Sequence, residues 1–221
     1  TPLSALLLAE IAERAGLAAG MLSVMPCDRK LGDRLVEDDR FRVLTFTGSP
    51  EVGWALRARA GKKRVVLELG GNAAVIVHDD ADLARAVDRI TAGAFSYAGQ
   101  SCISVQRVLA HERIEPALRA ALIERARALR VGDPLHEDTD VGPMIDEGQA
   151  VRAATWIDEA VSGGAALLCG GERRGSLLSP TLLGDVRPAM KVCKKEVFAP
   201  VAVLTPYERF EDALAQVNDS E

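Results

Sequence analysis

Arg42-Val43-Leu44-Thr45-Phe46-Thr47-Gly48-Ser49-Pro50 is a β-prone run broken by a glycine turn, with a proline where a helix can start. Downstream, a helix is expected from about Pro50 to Ala60, and then a second β-prone run, Arg64 to Leu69, halted by Gly70-Gly71. Strand, helix and strand with short connections argue a parallel pair and a crossover helix, the building unit of α/β proteins. Upstream, Thr1-Pro2 reads as an N-cap and first helical residue. Leu3, Leu6, Leu7 and Ile11 recur at helical spacing, and Gly16 is the stop. Met21 to Met25 reads as a further short strand.

The alternation continues beyond Gly71. Ala73 to Val77 is expected as a strand, His78-Asp79-Asp80 as turn and cap, and Leu83, Val87, Ile90 and Ala94 as one helical face ending near Gly99. A strand over Arg107 to Ala110 precedes a long helix that uses Ile114, Leu118, Leu122 and Leu129. A Pro- and Asp-rich loop, Asp133 to Gly148, leads to a helix around Val151 to Val161. Ala165–Leu168, Thr181–Leu183 and Val201–Leu204 are strand candidates, and a helix from about Phe210 closes the pattern. The reading is α/β, with parallel sheets flanked by helices and a domain seam at Gly70-Gly71.

Composition narrows the function. The 221 residues are 48% apolar and 27% charged, and 27 Lys and Arg against 32 Asp and Glu leave a formal charge of −5. This is a globular composition, and its sign argues against an electrostatically driven nucleic-acid binder. Cys27, Cys102, Cys169 and Cys193 lie far apart without a C-x-x-C, so neither structural zinc nor a disulfide framework is expected. Apolar runs such as Ala5–Ala9 and Ala73–Val77 are too short to cross a bilayer, and no signal peptide is visible. A reduced, soluble, cytoplasmic protein without metal is expected.

Four places offer chemistry. Cys102, in Tyr97-Ala98-Gly99-Gln100-Ser101-Cys102-Ile103, sits in a glycine-opened loop past a helix end. Backbone N–H groups there favour the nucleophilic thiolate; the plainer alternative is a small buried hydrophobe. Glu68 interrupts an apolar strand near its carboxyl end, where α/β sheets place ligands. Desolvation would move it toward a useful general base, whereas strand alternation would turn it to solvent on the face of Val66. Phe46 to Gly53 runs from strand through turn to helix start, a place where exposed N–H groups suit a phosphate but also an ordinary βα turn. In Lys195-Glu196-Val197-Phe198-Ala199-Pro200, the carboxylate suits a ribose and the ring a flat cofactor; a solvated edge is the alternative. His78, His111 and His136 are scattered and read as surface residues.

Taken in order, Phe46-Thr47-Gly48-Ser49, Leu67-Glu68-Leu69-Gly70-Gly71, Gly99-Gln100-Ser101-Cys102 with Arg107, Gly132-Asp133-Pro134-Leu135, Val141-Gly142-Pro143-Met144 and Glu196-Val197-Phe198 run the length of the chain. The sequence resembles the NAD(P)-dependent aldehyde dehydrogenase superfamily. Its Leu-Gly-Gly-Asn-Ala-Ala and Gln-Ser-Cys-Ile-Ser-Val-Gln-Arg wording is similar to members acting on lactaldehyde-like or phosphoglyceraldehyde-like substrates.

The resemblance implies an aldehyde dehydrogenase-like fold, incomplete at both ends. Residues 1–70 would be the second half of the dinucleotide-binding domain, and 71–221 a C-terminally truncated catalytic domain. It implies Cys102 as nucleophile and Glu68 as the base that activates water. Gly48, Ser49, Val52, Leu69, Glu196 and Phe198 would bind NAD or NADP. A small aldehyde is the implied substrate, with neither nucleic acid nor membrane as partner, and the full-length parent would be a homodimer or homotetramer. An oxyanion asparagine and a cofactor-binding lysine of the family are expected upstream of Thr1, so the chain alone is expected to be poorly active. Lys195 and Ala199 stand where glutamate and glycine are common in the family. Two other classes stay open: a non-catalytic domain associating through exposed surfaces, and a thiol hydrolase pairing Cys102 with His111.

Overall fold

The computed structural model describes residues 2–220 and, of Arg29, the backbone only. The Thr1 cap lies outside the described residues. The chain divides into two compact units, Thr1–Leu69 and Gly70–Glu221.

The first unit contains α1 (Pro2–Arg14), α2 (Arg29–Glu37), β1 (Val43–Thr47), α3 (Pro50–Arg59) and β2 (Arg64–Glu68). Strands β1 and β2 pair in parallel, Val43 opposite Arg64 and Thr47 opposite Glu68, with α3 as the crossover. Helix α3 begins for legible reasons. The Ser49 side chain accepts from the Val52 N–H at 3.4 Å, Pro50 opens the first turn and Glu51 faces the positive end of the dipole. Arg57 and Arg59 complement the other end. Val36, Leu56 and Ala60 form a small core, with Leu44, Phe46 and Val65 packed on it.

One expectation fails in this unit, and one helix in it was not foreseen. Met21–Met25 is not a strand; Met21, Leu22 and Met25 are exposed, and no strand among the described residues pairs with them. Helix α2 was not anticipated: it starts where Asp28 accepts from the Leu31 N–H at 2.8 Å, in a stretch interrupted by Gly32.

The second unit is built on a five-stranded sheet in the order β3 (Ala73–Val77), β4 (Val105–His111), β9 (Val201–Tyr207), β8 (Thr181–Gly184) and β5 (Ala166–Cys169). All neighbours are parallel except β5 and β8. Helices α4 (Leu83–Phe95), α5 (Glu115–Ala128) and α6 (Glu147–Ser162) supply Ile90, Phe95, Leu118, Leu122 and Ile157 to one core with Val108, Leu182, Leu183 and Leu204 of the sheet. Every residue of β8 is buried, as expected of a strand covered on both faces. Helix α4 is capped by Asp82, which accepts from the Arg85 N–H, two residues beyond the anticipated cap. A small hairpin, β6 (Arg173–Arg174) with β7 (Leu177–Leu178), a one-turn α7 (Lys191–Lys194) and α8 (Phe210–Asn218) complete the unit. Among the described residues, no helix is long and apolar enough to cross a membrane.

Candidate active site

In the first unit, the carboxyl ends of β1 and β2 gather five of the expected residues. The Gly48 N–H donates to the Glu68 carbonyl at 3.0 Å, extending the ladder into the turn. A Cβ on Gly48 would lie 2.5 Å from the Phe46 ring, so the turn closes tightly only without a side chain. Ser49 and Val52 are joined by the α3 cap, and the Leu69 side chain packs so close to Gly53 that any Cβ there would collide with it. Gly48, Ser49 and Val52 are exposed at the amino end of α3, and Leu69 is half-buried. Glu68 is exposed on the same face as Val66, so alternation prevails here and the anticipated burial is not found.

In the second unit, three segments converge around Cys102. After α4 the chain enters a tight turn, Ser96–Gly99, in which Tyr97, Ala98 and Gly99 have φ of 54, 54 and 65°. For the two non-glycine residues this left-handed backbone is unfavourable by about 1–2 kcal/mol each, so tertiary contacts must hold it. Those contacts are visible. Gly99 presses on the backbone of Ala199 and Pro200 where no Cβ fits, and Gln100 Oε1 accepts the Ile145 N–H at 3.0 Å. Cys102 follows, with its thiol exposed. Its carbonyl lies 2.9 Å from where a Cβ of Gly71 would stand, and the Gly71 N–H donates to Glu196 Oε1 at 3.0 Å. A Cβ on Gly70 would strike the same carboxylate. Glycines 70, 71 and 99 thus let the thiol loop and the Glu196–Phe198 arm approach as bare backbone. Phe198 itself sits at φ 49°, 40% exposed.

Three polar residues brace this arrangement. Buried Arg107 on β4 donates from Nε and Nη2 to the Asn72 carbonyl, at 3.3 and 2.8 Å, and to the Gln216 and Val217 carbonyls beyond. Burial lowers its pKa. Arg152 of α6 donates to the Val197 carbonyl at 2.6 Å while its guanidinium lies over Trp156; burial again lowers its pKa, opposed by the Glu196 carboxylate. Gln106, also buried, bonds to the segment carrying Glu196. The sequence reading gave no role to Gln106 or Arg107, both inside the run Gln100 to Arg107, and missed Arg152. The available signal was two polar residues in succession inside an apolar strand, where each must find a buried partner.

The histidine pairing is excluded by geometry. His111 ends β4, a seven-residue strand that begins after Cys102 and spans about 20 Å. His111 is buried, accepts the Arg113 N–H at Nδ1 and stands edge-on to His78 and Tyr207. Among the described residues, no group of three or more His, Cys, Asp or Glu is placed to hold a metal.

The family described as "Aldehyde dehydrogenase family" matches the chain over residues 1–221. The chain belongs to this family. It is 45% identical over 222 residues to 3-sulfolactaldehyde dehydrogenase of Priestia megaterium, covering 100% of the chain and 46% of that protein. To the succinate-semialdehyde dehydrogenase [NADP(+)] GabD of Escherichia coli it is 40% identical over 227 residues, 100% and 47% covered. The structure superposes on aldehyde dehydrogenase 21 of Physcomitrella patens, in complex with the reaction product succinate, with a TM-score of 0.95 at 42% identity. That match covers 100% of this chain and 46% of the other. The family chain thus spans about half the length of the curated relatives it matches.

Proposed function

We propose that this chain is the thiol-bearing part of an NAD(P)-dependent aldehyde dehydrogenase that oxidises a small aldehyde to a carboxylic acid. The observation that carries the reading is the exposed Cys102 thiol on a loop whose backbone abuts Gly71, the residue that holds the Glu196 carboxylate. Family membership and relatives named for aldehyde oxidation support it.

The donor set suits a nicotinamide dinucleotide. Gly48, Ser49 and Val52 offer bare turn and helix amino end to a diphosphate and the groups beside it, with Leu69 on the turn. Glu196 offers a fixed carboxylate to a ribose, and Phe198 an exposed ring to a flat group. When bound, the cofactor supplies a hydride acceptor.

Cys102 Sγ, as thiolate, bonds the aldehyde carbon, and the carbonyl electrons move to oxygen as a thiohemiacetal oxyanion held by the Cys102 N–H and an amide side chain from outside this stretch. Loss of hydride leaves a thioester on Cys102. Glu68 takes a proton from water, the resulting hydroxide adds to the thioester carbon, and the C–S bond breaks to release acid and thiolate. The two named relatives act on 3-sulfolactaldehyde and succinate semialdehyde, both small aldehydes with an anionic end, and we assign this class as substrate. We place the enzyme in the cytoplasm, as a homodimer or homotetramer. The 221 residues alone are expected to be about 10²–10³-fold slower than the full-length protein, because the family's asparagine oxyanion donor is assigned outside them.

The test is turnover of the full-length protein on a panel of anionic, neutral and cationic aldehydes with NAD and with NADP. Cys102→Ala should abolish turnover, whereas Glu68→Gln should keep a stoichiometric burst of reduced cofactor and lose about 10²–10⁴-fold in steady state. Undiminished turnover in Cys102→Ala would refute the reading.

A further inference from the structure

Gln106 stands on β4 four residues past Cys102, 4% exposed and absent from the chemistry above. Its carboxamide reaches the segment that precedes β9. Nε2 donates to the Val192 carbonyl at 2.9 Å and to the Lys195 carbonyl at 2.7 Å, and Oε1 accepts the Val197 N–H at 2.7 Å. The last two bonds fall on the peptide groups flanking Glu196. Irregular backbone between α7 and β9 has no ladder to satisfy those groups, and a buried backbone donor or acceptor left unpaired is costly. One planar amide offers two donors and an acceptor at the required spacing; neither an acid nor an apolar side chain of the same length does.

We propose that Gln106 is the positioning residue of the cofactor arm: it presents Glu196 and Phe198 in their working places and ties them to the strand that follows the nucleophile. This rests on the reading of Glu196 as the ribose-binding carboxylate. Gln106 acts through the arm and touches neither substrate nor cofactor. The arm needs such a tie, because Phe198 at φ 49° sits in a backbone region that a non-glycine residue keeps only when its surroundings impose it. Arg152, bonding the Val197 carbonyl from α6, grips the same arm elsewhere, so loss of Gln106 loosens the arm rather than releasing it.

The experiment uses the full-length protein with Q106M, which keeps length and removes all three bonds, and Q106E, which keeps an acceptor for the Val197 N–H. Hydrogen exchange over residues 192–199 should quicken by about tenfold or more in both variants, with the core strands unchanged. The cofactor KM should rise about tenfold while kcat at saturating cofactor changes far less, and alkylation of Cys102 without cofactor should stay within about twofold of the parent. Unchanged exchange over 192–199 in folded variants overturns the proposal, and so does a uniform loss of protection across the second unit. If the arm loosens but cofactor KM stays put in both Q106M and E196Q, positioning by Gln106 stands and the ribose role of Glu196 fails.

Discussion

Helix α1 buries none of its residues, with Leu3 at 78% and Leu8 at 63% exposure, whereas all four residues of β8 are hidden. Both segments carry leucines, Leu3, Leu6, Leu7 and Leu8 in α1 and Leu182 and Leu183 in β8. The first belongs to a unit whose sheet has two strands and whose buried core is Val36, Leu56 and Ala60; the second to a unit with five strands and helices packed on them. Apolar periodicity therefore reports which face can be covered, while sheet size decides whether the unit itself covers it. A two-stranded sheet is marginal alone, so the first unit should be the weaker partner in any unfolding experiment on this chain.

The sharpest way to break that contrast is a matched pair of truncations. Leu182→Ala in β8 removes a side chain that is 1% exposed and should cost about 2–5 kcal/mol. Leu6→Ala on α1, at 41% exposure, should stay within about 0.5 kcal/mol. Urea titrations can follow each unit through its own tryptophan, Trp54 in the first and Trp156 in the second. Equal costs would mean that α1 is covered as well as β8 is.

The parts of the fold that were legible are those fixed by neighbours in sequence. Ser49-Pro50 starts α3, Gly16 follows α1 at φ 91°, and the β-prone runs at 43–47 and 64–68 pair as a βαβ unit demands. Met21–Met25 misled because a strand is defined by its partner, and four apolar residues around Ser23 carry no information about one. The candidate site divides in the same way. Cys102 and Glu196 were singled out as candidates from local sequence, whereas Gln106 and Arg152 make bonds across 86, 89, 91 and 45 positions of chain. No local period encodes such bonds. What the strand did encode was a demand: Gln106 and Arg107 inside an apolar run had to be satisfied somewhere.

A smaller effect tests the first unit from within. Ser49→Ala removes the α3 cap and should destabilise that unit by about 0.5–1 kcal/mol, at the low end for such caps because the Val52 N–H lies 3.4 Å away. The change should register at Trp54 and leave the Trp156 transition where it was. A shift at Trp156 of equal size would show the two units unfolding as one.

A last comparison separates the units by pH. In the second unit, burial pushes up the Cys169 and Cys193 thiols and the Tyr207 phenol, Cys193 from 9.0 to about 11 against the opposing pull of Arg107. An unfolded thiol at Cys193 sheds its proton near 9.0 while the folded one keeps it, so the folded state binds more protons and stability falls as pH rises from about 9 to about 11. The first unit has the opposite case. Asp38 is held down to about 2 from 3.8 by the Arg40 hydrogen bond, which makes its contribution present above 3.8 and lost as pH falls toward about 2. That pair is exposed and only two residues apart, so the unfolded chain keeps much of it and the acid loss should be close to nil. Cys193→Ala should flatten part of the alkaline decline at Trp156, leaving the share of Cys169 and Tyr207, and should leave Trp54 unaffected. The same alkaline slope with and without the thiol would mean that Cys193 ionises as freely folded as unfolded.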